Sequence, residues 1–305
     1  MKILVLGVGG IGGFFGSHLH NAGEDITFLV RKQRKTIILN KGIKIKSSFG
    51  NISINPKLIT KEELNPIYDI ILLACKSYNL DEAINDLKPL KNQGIIIPLL
   101  NGQTHLQKIS RFFNEKNVYG GVAYISSNVD KHNVIHQIGK NKKIIFGSCN
   151  GKNSDLIKDF LQSCKKTKFD SELSDNISQE IWEKWIFIAT VAGATTLFRT
   201  SLEKINKTKE GKEFIINLFK ECCNISKLNG FQIRENVKKS HKDFFINPNS
   251  KVKASMLIDM EKRYLTEHKH IFLDFIKLGV KKGFEANILK AIYLNMLVYE
   301  DSILI

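Results

Sequence analysis

The sequence predicts an α/β protein: an N-terminal doubly wound parallel sheet followed by an all-helical C-terminal domain. Three observations lead there. Short, continuously apolar runs alternate with helical patterns over roughly the first 170 residues, as strands buried on both faces of a parallel sheet do. The first such run feeds directly into a glycine-rich turn, MKILVLGVGGIGGFFG. Beyond about Asp170 glycines thin out, strand patterns vanish and long helical periods take over. The predicted domains are 1–172 and 173–305, with no internal repeat and no low-complexity linker.

Strand candidates in order are 2–6 (KILVL), 26–30 (ITFLV), 70–74 (IILLA), 95–99 (IIIPL), 117–125 (NVYGGVAYI), 133–138 (NVIHQI) and 143–147 (KIIFG). Helical stretches fit between them at 10–22, 33–41, 79–88, 103–114 and 153–164. Segments 43–46 and 51–55 flank Phe49-Gly50 and read as an antiparallel hairpin. The second domain carries apolar-periodic stretches at 177–200, 208–229, 233–246, 251–280 and 287–302. Ser174-Asp175-Asn176 followed by Glu180 supplies N-cap chemistry for its first helix.

Composition narrows the function classes. Apolar residues make up 43% and charged residues 25%, the balance of a soluble globular chain, and no run of 18 apolar residues exists. A single Lys followed by glycines, with no small-residue cleavage site, does not read as a signal peptide. Cys75, Cys149, Cys164, Cys222 and Cys223 are scattered, form no C-x-x-C pair and read as free thiols of a reducing cytoplasm. No metal site is expected. The net charge of +16 is spread over lysines such as Lys32, Lys57, Lys108, Lys158, Lys238 and Lys290. They form no tract with interleaved aromatics, so they read as a solvated surface and point to neither nucleic acid nor membrane.

Gly7-Val8-Gly9-Gly10-Ile11-Gly12 matches G-x-G-x-x-G in its informative context, after a strand and opening a helix. Gly7 permits the tight turn, Gly9 lets the backbone approach a pyrophosphate, and Gly12 lets helix pack on sheet. The N–H groups from Gly10 and Ile11 onward then face the anion. This is the fingerprint of a Rossmann-type dinucleotide-binding domain. The second strand ends in Arg31-Lys32-Gln33-Arg34-Lys35, with no carboxylate for the ribose hydroxyls. A guanidinium at Arg31 suits a 2′-phosphate, with Lys32 or Arg34 assisting, so NADP (NADPH) is expected rather than NAD.

Three further stretches bear polar groups where ligands bind in such folds. Lys76 in ILLACKSYNL and Asn101-Gly102 in IIIPLLNGQTHL each follow a presumed parallel strand. A solvated lysine and a plain helix cap are the alternatives for these two. Lys184 in QEIWEKWIFIATVAG lies among apolar neighbours, where it either snorkels to solvent or presents a cation to a carbonyl.

In sum these residues resemble the ketopantoate reductase (2-dehydropantoate 2-reductase) family over nearly the whole length. The likeness rests on G-V-G-G-I-G at 7–12, Arg31, C-K-S-Y at 75–78, L-N-G at 100–102, E-I-W-E-K at 180–184, and S-M-L-I-D at 255–259 followed by Glu267. The resemblance implies NADPH-dependent reduction of 2-dehydropantoate to pantoate in pantothenate and coenzyme A biosynthesis; the free thiols point to the cytoplasm, and the apolar 287–302 stretch packs either on its own domain or on a second subunit, which leaves a monomer or a homodimer open. It implies that Lys184 is the general acid, that Glu267 positions the lysine or substrate groups, that Ser255 binds substrate, and that Asn101 and Lys76 line the nicotinamide and substrate cleft. The chain departs from the family where Ile188 and Ala192 replace asparagines, where Lys269 replaces an acidic residue, where Val252 replaces a substrate-binding Asn, and where Gly283–Asn287 replace a proline-rich turn. These changes make the substrate pocket more apolar and leave open a reductase of a bulkier or more apolar 2-keto acid or imine; the high positive charge leaves a further alternative, an NADPH-binding sensor without turnover.

Overall fold

In the computed structural model, which describes residues 1–304, the strands are β1 (Lys2–Leu6), β2 (Asp25–Leu29), β3 (Ile43–Lys46), β4 (Ile52–Ile54), β5 (Lys57–Ile59), β6 (Ile70–Leu73), β7 (Ile95–Pro98), β8 (Tyr119–Val129), β9 (Val134–Ser148) and β10 (Asp170–Leu173). The helices are α1 (Gly10–Asn21), α2 (Lys32–Lys41), α3 (Leu80–Asp86), α4 (Thr104–Ser110), α5 (Asp155–Lys165), α6 (Ile177–Phe198), α7 (Leu202–Ile205), α8 (Lys209–Leu228), α9 (Glu235–Phe245), α10 (Ser255–Glu261), α11 (Asp274–Val280) and α12 (Asn287–Leu304). Two units result, one of Met1–Leu100 with His105–Glu180, the other of Asn101–Thr104 with Ile181 onward. No helix among the described residues is long and apolar enough to cross a membrane.

The first unit is the Rossmann-type domain. Its main sheet has the order β5-β2-β1-β6-β7, parallel throughout, with Ile3 paired to Ile26 on one side and to Ile70 on the other. Every residue of β6 and of β7 is buried, which explains runs without polar alternation. Because the chain leaves β1 toward β2 on one side and returns to β6 on the other, the sheet reverses winding between β1 and β6, where ligands bind in such folds.

A second sheet of order β10-β9-β3-β4 receives the expected hairpin, with β3 and β4 antiparallel and Ile43 opposite Ile54. The segments read as strands 133–138 and 143–147 are one strand, β9. The pairing to β8 jumps from Ile125↔Lys142 to Ser126↔Ile138, leaving 139–141 as a bulge. The Gln137 amide closes that bulge by donating to the carbonyls of Ile138, Gly139 and Asn141 at 3.2, 2.8 and 3.3 Å. The glycine and polar residues that look like a turn are thus held inside a ladder. Strands β5 and β10 were not expected; each is a short edge strand with too few residues to show a period.

The core of this unit joins Phe14 and Phe15 of α1 to Phe28, Phe146 and Phe160, all fully buried. A separate core in the second unit gathers Trp182, Trp185, Phe245, Phe272 and Phe275. The helix cap expected at 174–176 is present: Asn176 Oδ1 accepts from the Gln179 amide at 3.3 Å. The stretch 251–280, read as one apolar period, is broken. Helix α10 stops where Arg263 takes φ +57° and the Tyr264 amide donates to the Asp259 carbonyl at 2.9 Å. After Thr266 the chain resumes as a π-helical turn, Lys269–Leu273, that runs into α11. Apolar spacing continues through the break, so periodicity cannot reveal it.

All five cysteines are free. Burial pushes the thiol of Cys149 up to about 11 and that of Cys223 up to about 12, and raises Cys164 and Cys222 as well. These four are packing residues rather than nucleophiles.

Candidate active site

The glycine turn sits between the carboxyl end of β1 and the start of α1. Gly7 has φ +101°, and a methyl group there would lie 2.7 Å from the Ala74 carbonyl oxygen at the end of β6. A methyl group at Gly12 would fall far inside contact distance of the Gly7 carbonyl and 2.9 Å from Ala74 Cβ. Gly9 differs, since a methyl group there meets nothing within 4 Å. No side chain caps α1, whose N-cap is Gly9 itself. An open backbone shoulder leading into uncapped N–H groups fits the diphosphate of a nicotinamide dinucleotide. Ser127 of β8, unmarked in the sequence reading, packs on the same turn: a methyl group at Gly10 would lie 2.5 Å from its Oγ.

Arg31 is the N-cap residue of α2, just beyond the end of β2. Its guanidinium is engaged by Glu82, with Nε 3.1 Å from Oε1 and a second contact from Nη2 to Oε2. Arg34 points toward the glycine turn. Its Nη2 donates to the Val8 carbonyl at 3.4 Å and its Nη1 to Asn133 Oδ1. Burial lowers the Arg34 pKa. Lys76 is half-buried just past β6 and opens a single 3₁₀ turn, Ser77–Asn79. Arg31, Lys76 and the turn therefore stand at one end of the parallel sheet.

The second unit holds Lys184, and its α6 turn is tightly fixed. Glu183, 2% exposed, receives Arg234 Nε at 3.0 Å and the Arg234 backbone N–H at 2.9 Å. Trp182 stacks on Phe231 with centroids 5.3 Å apart, and Trp185 meets Phe275 edge-on at 4.4 Å. The Trp185 indole N–H donates to the Ile271 carbonyl at 3.1 Å. In the W-E-K element, Trp and Glu are therefore anchors and Lys is the group they hold. Burial lowers the Lys184 pKa from 10.5 to about 8, while the Glu267 carboxylate opposes that fall. Glu267 is thus near enough to act on the ammonium.

Asn101-Gly102 belongs to this same unit. Gly102 has φ +82°, and a methyl group there would lie 3.1 Å from His270 Nε2 and 3.5 Å from Trp185 Cε2. Ser255 opens α10 and is exposed; the preceding Ala254 amide donates to Thr195 Oγ1 of α6 at 3.4 Å. Thr195 lies three turns beyond Lys184, on the helix face that also carries Ile188 and Ala192. Both positions are apolar, so no asparagine amide reaches out from that face.

The structure thus groups Lys184, Glu267 and the Asn101–Gly102 turn in the second unit, and Gly7 to Gly12, Arg31 and Lys76 in the first. Sequence reading passed over the Glu183–Arg234 pair, Thr104, His270 and Asp274. For the last two a signal existed: histidine and aspartate four residues apart share a helix face.

Comparison with known proteins bears on both units. The family model described as Ketopantoate reductase PanE/ApbA matches residues 3–151, and its C-terminal counterpart matches residues 176–300. An uncharacterized oxidoreductase of Bacillus subtilis (strain 168), YkpB, is 33% identical over 301 residues, covering 98% of this chain and 99% of that protein. The 2-dehydropantoate 2-reductase of Pyrococcus abyssi (strain GE5 / Orsay) is 30% identical over 237 residues, covering 76% of each. Among solved structures, D-mandelate dehydrogenase in a ternary complex with NADH and anilino(oxo)acetate superposes with a TM-score of 0.90 at 18% identity, covering 100% of both chains.

Proposed function

Because the chain belongs to the ketopantoate reductase family, and is thus an oxidoreductase, we propose that it reduces 2-keto acids with NADPH, taking 2-dehydropantoate (ketopantoate) to pantoate for pantothenate synthesis. The observation that carries this reading is Lys184, a half-buried amine on α6 whose flanking residues are pinned by Arg234 and Ile271 and which lies within electrostatic reach of Glu267.

NADPH, once bound, supplies a hydride to the keto carbon. The glycine turn and the first N–H groups of α1 would hold its diphosphate, and Arg31 its 2′-phosphate. The Lys184 ammonium would hydrogen-bond the keto oxygen and hand over its proton as negative charge grows there. Glu267 keeps that amine protonated near neutrality. Asn101, Lys76 and Ser255 are assigned to orienting the nicotinamide and the acid.

Two expected results follow from charge alone. The reductive kcat/KM is expected to hold steady below pH 8 and to fall above it, as Lys184 loses its proton. Glu267→Gln removes the charge that raises the Lys184 pKa, so the decline is expected to begin at lower pH; an unmoved limb in the pH–rate profile refutes the pairing. At the other end of the cofactor, Arg31 must be shared between Glu82 and a 2′-phosphate. Arg31→Gln is expected to weaken NADPH binding by about tenfold and to leave NADH binding unchanged, the worth of a charge-assisted pair. Glu82→Gln, by freeing the guanidinium, is expected to tighten NADPH. Titration of each variant with both nucleotides measures this, and equal effects on the two nucleotides rule the assignment out.

Ile188 and Ala192 favour a second reading on the same scaffold, a bulkier or more apolar 2-keto acid or imine. NADPH oxidation measured with ketopantoate beside aryl and branched-alkyl 2-keto acids separates the two. A specificity constant for ketopantoate at least about tenfold above the rest supports the first reading, and the reverse order supports the second. NADPH binding without turnover of any member would indicate a sensor.

A further inference from the structure

Beside the Asn101–Gly102 turn lie three side chains, hydrogen-bonded to one another, that the proposed mechanism does not use. Asp274 Oδ2 accepts from Thr104 Oγ1 at 2.5 Å and from His270 Nδ1 at 3.0 Å; Thr104 Oγ1 also lies 3.3 Å from that nitrogen. The pairing with Asp274 puts the imidazole hydrogen on Nδ1 and directs the other edge of the ring at Gly102. The His270 side chain is only 11% exposed. His270 is part of the π-helical turn Lys269–Leu273, whose next residue, Ile271, presents its carbonyl to Trp185, the residue after Lys184. π-Helical turns of this kind are irregularities that recur at functional sites. Asp274 stays below its ordinary pKa: burial would raise it, but the His270 and Thr104 hydrogen bonds outweigh that.

Resting on the reductase reading above, we propose that Thr104, Asp274 and His270 form a clasp that locks the Asn101–Gly102 turn against the Lys184 helix, which makes His270 a positioning residue for the reaction. The turn needs such a lock. Gly102 is held at positive φ, a conformation glycine leaves easily, and the amide of Asn101 is useful only in one orientation. Trp185 lies against both Gly102 and the π-helical turn, so the clasp ties Asn101 and Lys184 into one rigid cluster within the second unit.

The test uses the full-length protein carrying Asp274→Asn, His270→Ala, His270→Asn or, as a milder change, Thr104→Val. Hydrogen exchange of the amides at 101–104 reads the clasp directly. Steady-state kinetics with ketopantoate read its consequence. Asp274→Asn and His270→Ala are expected to speed exchange at 101–104 and to lower kcat by about tenfold or more, the scale set by a small loss of alignment, while the KM for NADPH stays within about twofold. His270→Asn keeps a donor near the Nδ1 position and is expected to recover part of the loss. Unchanged exchange at 101–104 in folded variants overturns the clasp. Faster exchange with unchanged kcat overturns the positioning role. If the wild-type protein reduces no 2-keto acid, the reductase reading and the positioning role fall together, while the exchange measurement still decides the clasp.

Discussion

Lys184→Met is expected to lower kcat by about 10²- to 10⁴-fold, the range for losing a positioned general acid, with NADPH still bound. Methionine keeps an unbranched apolar stem of similar length on α6 and removes only the ammonium. Stability should move the other way. The folded pKa of Lys184, about 8, lies below its ordinary 10.5. Between these values the unfolded chain still carries the proton and the folded chain has released it, so stability from this group rises with pH across that window. Below pH 8 both states are protonated and burial of the cation costs its full amount. At pH 7 the melting temperature of Lys184→Met should therefore stay level or rise. A drop in melting temperature that accompanies the loss of turnover would make the defect structural and remove Lys184 from its chemical role. Substitution of a neighbouring anchor gives the contrast: Trp185→Ala empties a fully buried site and is expected to cost about 3–5 kcal/mol of stability, visible as a lower melting temperature.

The second large effect separates two glycines three residues apart. Gly9→Ala is expected to fold with an unchanged melting temperature and to lose NADPH affinity by tenfold or more, on the order of 1.4 kcal/mol or above. A methyl group at Gly9 meets nothing within 4 Å in the protein, and its φ of −95° suits alanine, so any penalty must come from a ligand lying where the methyl group goes. Gly12→Ala should fail differently. Its methyl group would press into the Gly7 carbonyl and Ala74, which forces α1 off the sheet and lowers stability by several kcal/mol, about the scale of core overpacking. Calorimetric titration and thermal melts on both variants check the pair. Normal NADPH affinity in Gly9→Ala would mean that no diphosphate passes over this turn.

The glycine turn was legible because its requirements are local. A strand, a tight turn and a helix start are specified by neighbours in the chain, and Gly7 and Gly12 answer steric demands of that turn. The two-unit plan was legible for the same reason, since buried parallel strands and apolar helices differ in period over ten residues. Strand β9 was not, because Gln137 rather than a turn satisfies the backbone at 139–141. Nor was the break at Arg263, where apolar spacing runs on although the helix does not.

Lys184 marks the dividing line. By itself the sequence determined that an amine sits in an apolar helical stretch, beyond a dinucleotide-type turn, in a chain built as a parallel α/β domain and a helical one. The surroundings of that amine are decided by residues far along the chain: Glu267, within electrostatic reach of it, and Phe275, Arg234 and Ile271, which fix the Glu183 and Trp185 side chains on either side of it. The pairing of Arg31 with Glu82, 51 residues apart, and the Thr104–Asp274–His270 clasp, up to 170 residues apart, belong to the tertiary structure too. The physical reason is common to all of them. Backbone conformation and hydrophobic period are set by residues within a turn or two, whereas a pKa, a salt bridge or a hydrogen-bonded cluster depends on which distant atoms the fold brings within about 4 Å and on how much water it removes.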